Sequence, residues 1–261
     1  MAKDETSSER RWPLYLSEAA GTALLVLGGL SVVIFMFGDG SPMARLVPSV
    51  VLRRVITGFL FGCIGGSIAL SEVGKVSGAH INPAVTLGFW LMQKLDARTA
   101  IGYTLAQLVG AALGALPLLA WGAMGRSVDF GATVPGEGYM TMDALLGEVV
   151  TTFALVTGLC IFIGFRALRR FTPFLMPPLY AVMVPLEAAL SGTSTNPARS
   201  FGPALISSQW DGWWIYWVGP LAGTLAAIVV CSSLARRIEV AKLYHFESDR
   251  RRILHRMAGS R

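Results

Sequence analysis

The chain has 261 residues, of which 53% are hydrophobic and 15% charged, with a mean hydropathy of +0.56 and a formal net charge of +6. Soluble domains carry about 25% charged residues, so this composition excludes an ordinary soluble globule and points to a lipid-embedded chain. The positive charge has a simpler reading than nucleic-acid binding, because cytoplasmic loops of membrane proteins retain Lys and Arg.

Six stretches are long and apolar enough to predict membrane-crossing helices: about 14–37, 49–70, 99–123, 143–165, 173–191 and 213–235. The first keeps Glu18, follows a polar segment and lacks a small-residue cleavage site, so it reads as a retained span rather than a removed signal peptide. Cys63, Cys160 and Cys231 all lie inside apolar stretches, the habit of inert buried thiols rather than of a disulfide framework. Two further apolar segments, near 82–93 and 196–207, are too short to cross alone. A helix of ten residues rises only about 15 Å, half the hydrocarbon thickness. Two such pieces, entering from opposite faces and meeting end to end, complete one crossing.

Both short segments begin at a duplicated signal. Residues 77–88 read SGAHINPAVTLG and residues 191–202 read SGTSTNPARSFG. The duplication extends upstream, since Leu16, Glu18, Thr22, Leu25 and Val26 are answered by Leu146, Glu148, Thr152, Leu155 and Val156. Each half, about 14–123 and 143–235, therefore holds three spans and one short helix. Three is odd, so the halves are inverted and share a site near the bilayer midplane. With both termini cytoplasmic, most of the 22 basic residues fall on the inner side, eight of them in the tail 236–261. The tail, with Arg250, Arg251, Arg252 and Arg256, either rests on anionic headgroups or is merely solvated.

Asn followed by Pro is a helix start: Asn82 and Asn196 suit the N-cap, and Pro83 and Pro197 suit the first helical position, with Ala84 and Ala198 next. Capping uses the amide oxygen of each asparagine and leaves its NH₂ group to donate into the gap between the two helix starts. Each start carries about half a positive charge. Two of them repel a unit cation by roughly 4 kcal/mol at ~4 Å and an effective dielectric near 20. A neutral solute with an acceptor oxygen passes where a cation or proton does not.

On these motifs, with the paired glutamates, Ala106-Gln107, Gly110-Ala111 and Trp217-Val218-Gly219-Pro220, the chain resembles the aquaporin (major intrinsic protein) family over about 14–235. The resemblance implies an all-α membrane fold, with six transmembrane helices and two re-entrant half-helices forming a single channel domain over 1–261. It also implies a multi-pass protein of the plasma membrane, a homotetramer with one pore per subunit, and passive flow without cofactor or metal. The partners expected are water, small neutral solutes and the lipid bilayer, and no nucleic acid.

By the same resemblance Arg199 is the filter arginine. Ungapped counting from the asparagines places Gly62, Val184 and Thr193 beside it, and a shift of one residue substitutes Phe61 for Gly62. Gly62 and Val184 imply a wide, apolar constriction, whereas Phe61 narrows it. Ser200 and Tyr216-Trp217 stand where glycerol-conducting relatives typically carry Asp and Pro-Leu, which favours water. Glu187, one turn beyond Val184, either pairs with Arg199 at the mouth or braces the loop. Glu18, Glu148 and Gln107 are expected to satisfy backbone N–H groups of the re-entrant segments, and His80 either lines the inner vestibule or packs in its loop. A glycerol, urea or metalloid-hydroxide facilitator and a structural membrane protein with a vestigial pore are the rival readings. No nucleophile–base pair, metal cluster or phosphate cradle stands at mechanistic spacing, which argues against an enzyme.

Overall fold

The computed structural model describes residues 11–235, with 237, 238 and 242. All the described secondary structure is helical. Eight helices carry the architecture: α1 (Trp12–Phe37), α2 (Val50–Leu70), α3 (Pro83–Leu91), α4 (Ala97–Ala115), α5 (Thr141–Gly164), α6 (Thr172–Glu187), α7 (Pro197–Ser207) and α8 (Ile215–Val230). The N-termini of α2 and α4 are capped by Ser49 and Asp96, whose side chains accept the Leu52 and Thr99 amides at 3.2 and 3.0 Å. Arg250, Arg251, Arg252 and Arg256, on which the expected contact of the tail with headgroups rests, lie outside the described residues.

The apolar run read as 99–123 is not one regular helix. Pro117 turns it into a 3₁₀ segment, Leu116–Trp121, and a short helix, Gly122–Arg126, follows. Four helical stretches are long and apolar enough to cross a bilayer by themselves: Trp12–Phe37, Val50–Leu70, Ala97–Arg126 and Thr141–Gly164. The other two are shorter than the apolar runs from which they are read. Helices α6 and α8 have 16 residues each, about 24 Å of rise. Turns at 188–191 and 211–214 make up part of each remaining run.

The packing repeats between the two halves. Within each half the first helix packs along the last, α1 on α4 and α5 on α8, while α2 and α6 meet across the halves. Each half-helix lies against the last helix of the other half, α3 on α8 and α7 on α4. Glycines permit this closeness. A methyl group built on Gly110 or Gly114 of α4 meets the carbonyl oxygens of Ala19 and Ala23 of α1 at 2.1 and 2.3 Å. On α2, methyls at Gly58, Gly62 and Gly66 meet backbone carbonyls of Tyr180, Met176 and Pro173 at 2.2, 2.5 and 2.6 Å. Pro177 leaves the Pro173 carbonyl without its intrahelical donor, and the bare glycine edge of α2 covers it.

Candidate functional site

Two loops dip into the middle of the bundle and build the site. Residues 78–82 and 192–196 adopt no regular structure, and both follow one backbone pattern. Gly78 and Gly192 have φ of 98° and 88°, Ala79 and Thr193 of 54° and 53°, Ile81 and Thr195 of 42° and 52°. Left-handed backbone at a β-branched residue is disfavoured and persists only where the surroundings over-determine it. Here a fully buried glutamate does so. Glu18 accepts the His80 and Ile81 amides at 3.0 and 2.7 Å, and Glu148 accepts the Ser194 and Thr195 amides at 2.7 and 2.8 Å. Gln107 Nε2 donates to Glu18 and to Thr86 Oγ1 at 2.7 and 3.0 Å.

The strained turn aims each loop carbonyl at the other half. Asn82 Nδ2 donates to the Thr195 carbonyl and Asn196 Nδ2 to the Ile81 carbonyl, both at 2.9 Å. The amide oxygens cap their own helices, Asn82 from Ala84 N at 2.8 Å and Asn196 from Ala198 N at 3.0 Å. The expectation of two unengaged NH₂ groups is therefore corrected: one N–H of each amide is committed across the halves, and one remains. The cross-pair ties the starts of α3 and α7 together, with Pro83 and Pro197 at their first turns. Both asparagines line a cavity of about 50 Å³, walled also by Leu25, Phe61, Val85, Leu155 and Tyr180. A water molecule needs roughly 10–15 Å³ of such space, so the cavity takes a few waters.

Arg199 follows the second asparagine motif, 5% exposed, its Nη1 on the Gly131 carbonyl at 2.7 Å. Its guanidinium carbon lies 6.0 Å from the centroid of the Phe61 ring. Of the two registers left open on α2, the ring facing Arg199 belongs to Phe61. The side-chain direction of Gly62 points instead into the α6 backbone at Met176 and Pro177, so its contribution to the cavity wall is backbone. Val184 is half-buried and Thr193 buried, and neither lines the cavity.

The family model for major intrinsic proteins matches residues 5–231. The chain belongs to this family. Among its relatives, Aquaporin AqpM of Methanothermobacter marburgensis is 36% identical over 230 residues, covering 81% of this chain and 93% of the relative. Aquaporin-5 of Rattus norvegicus is 35% identical over 217 residues, 77% of this chain and 76% of the relative. The X-ray structure of the aquaglyceroporin from Plasmodium falciparum superposes with a TM-score of 0.66 over 87% of this chain and 96% of that one. At 18% identity, that likeness shows the fold. As a major intrinsic protein, the chain is a multi-pass membrane protein of the channel class.

Glu187 departs from both the apolar character of its helix and the pairing considered for it. It makes no ion pair with Arg199 among the described residues; the Arg199 Nη1 goes to Gly131. Instead Glu187 is buried against Gly147, where a methyl would lie 2.5 Å from its Oε1. The Ser191 hydroxyl lies between two carboxylates, hydrogen-bonded to Glu187 Oε1 and 2.6 Å from Glu148 Oε1. In the first half the hydroxyl of Ser17 takes the corresponding place, donating to Ser77 Oγ at 2.9 Å. Glu187 thus sits behind the second loop. His80 is 1% exposed, stacked on Phe89 at 4.4 Å and 3.2 Å from Thr86 Oγ1 through Nδ1, while lining the same cavity.

Of three tyrosines at the site, the sequence marks only Tyr216, as a position favouring water. The hydroxyls of Tyr103 and Tyr216 donate to the Ser77 and Ser191 carbonyls at 2.8 and 2.9 Å, one in each half. Tyr180 faces the cavity, its hydroxyl 2.8 Å from Thr195 Oγ1. The only sequence signal for it is its position four residues before Val184, on the same face of a helix.

Proposed function

We propose that the chain is a passive channel for water, with Asn82 and Asn196 as its central selectivity element and Arg199 as its outer positive barrier. The observation that carries this reading is the reciprocal amide–carbonyl pair between the halves. It fixes two donors at the meeting point of two helix starts, in a cavity with room for a few waters. A water oxygen accepts from the remaining N–H groups and turns its hydrogens outwards. Each helix start carries about half a positive charge, and together they oppose a hydronium ion or metal cation by roughly 4 kcal/mol at ~4 Å and an effective dielectric near 20. Glu18, Glu148 and Gln107 hold the loops, and Pro83, Ala84, Pro197 and Ala198 start the half-helices. We assign a homotetramer and a plasma-membrane location to this protein from its membership of the family, and cytoplasmic termini from the inward bias of Lys and Arg. The site performs selection and no covalent chemistry.

Stopped-flow light scattering on proteoliposomes in an osmotic gradient tests the proposal. The expected result is shrinkage faster than in empty vesicles with no added ion conductance. Water permeability equal to that of empty vesicles, with the protein shown to be inserted, overturns it.

A further inference from the structure

We propose that Tyr180, with Phe61, forms the size-limiting constriction of the lumen immediately outside the asparagine pair, and that it excludes polyols such as glycerol. This rests on the channel reading above and specifies what the channel rejects.

The cavity reaches outward to Phe61, Tyr180 and Asn196. Arg199, Val184 and Thr193, the positions expected to set the width, do not line it. The cavity therefore closes before it reaches those three residues, and the Phe61 ring, 6.0 Å from the Arg199 guanidinium carbon, stands at that end. The two aromatic rings come from neighbouring helices, with centroids 5.8 Å apart and planes at 34°. They form one aromatic wall of the cavity that Asn196 also lines.

Tyr180 is held in that wall from both ends. Its backbone is seated by the close approach of α2, since a methyl at Gly58 would meet the Tyr180 carbonyl at 2.2 Å. Its hydroxyl is fixed by donor accounting. Thr195 Oγ1 spends its single hydrogen on the Ser194 carbonyl at 2.7 Å, so in the 2.8 Å contact between the two hydroxyls Tyr180 donates. Thr195 is the residue whose carbonyl accepts Asn82 Nδ2. The ring is thereby tied to the element that positions the asparagines and cannot swing aside without breaking that bond. The fixed ring leaves the lumen one wall of aromatic carbon, which offers a polyol no acceptors for its hydroxyls and little width.

The test compares glycerol and water permeability in proteoliposomes for the wild type and for Tyr180→Phe, Tyr180→Leu and Tyr180→Ala. The expected wild type passes water and rejects glycerol. Tyr180→Ala raises the glycerol-to-water ratio about tenfold, the change produced when a barrier falls by about 1.4 kcal/mol. Tyr180→Leu gives a smaller rise, and Tyr180→Phe, which keeps the ring but loses the bond to Thr195 that holds it, the smallest. Size-exclusion profiles in detergent identify any variant that fails to fold, and the Leu variant then carries the test in place of Ala. A ratio unchanged in the folded Ala or Leu variant overturns the proposal. So does a wild type that passes glycerol as readily as water, an outcome that leaves the channel reading standing. A wild type with no water flux is the distinct failure of the channel reading itself.

Discussion

Replacing Glu18 by Gln tests whether the loop glutamates are structural keystones. Three donors converge on this carboxylate: His80 N on Oε1 at 3.0 Å, and Ile81 N and Gln107 Nε2 on Oε2, each at 2.7 Å. Glutamine keeps one acceptor oxygen, which serves the Ile81 and Gln107 pair, and turns its own NH₂ towards the His80 amide. That amide is then a buried donor without a partner, which costs about 1–3 kcal/mol. The two surviving bonds drop from charged to neutral strength, a further loss of about 1 kcal/mol each. Removing the charge also relieves part of the cost of burying it, so the net loss lies near the low end, about 2–3 kcal/mol. Thermal unfolding of the detergent-solubilised protein should show a midpoint lowered by about 5–10 °C, with reduced water flux because Ile81 supports the carbonyl that holds Asn196. A midpoint within about 2 °C of wild type and full flux would refute the reasoning, since it would mean the left-handed loop holds its shape without an ionised acceptor.

Two further predictions follow from the same geometry. Gly62→Ala drives a methyl to 2.5 Å from the Met176 carbonyl, whereas Gly65→Ala meets only Leu25 Cδ1 at 3.8 Å. The first should destabilise by about 1–3 kcal/mol through overpacking and the second by far less, measured as detergent melting midpoints. Asn196→Asp sets a carboxylate oxygen against the Ile81 carbonyl that now accepts its amide and places a negative charge at two positive helix starts. Bilayer recordings should then show cation conductance that is absent from the wild type.

Much of this arrangement is legible in the sequence because it is written twice. The duplicated Asn-Pro-Ala and the spaced Leu-x-Glu identify the half-helices and the two glutamates, and the odd number of spans per half gives the inversion. What is hidden in the sequence is hidden for physical reasons. Counting back from Asn82 to the helix before it runs through the connector 71–77, a short helix capped by Ser71. A one-residue change of length there leaves no mark on hydrophobic periodicity, so Gly62 and Phe61 stay equivalent until coordinates separate them. Tyr180 is obscured in another way. Helix α6 holds Pro177, Pro178 and Pro185, and its lumen face and its other faces are equally apolar, so no pattern distinguishes a wall residue from a packing one. Glu187 is conspicuous as a charge, but the room for its carboxylate beside Ser191 is left by Gly147 on another helix, which no local pattern reveals.

The exchanged donations between Asn82 and Thr195, and between Asn196 and Ile81, have a mechanical consequence. Neither half of the duplication can complete its own centre; each supplies the acceptor for its twin. Separating the halves breaks both ties together, so the midpoint yields all at once or not at all.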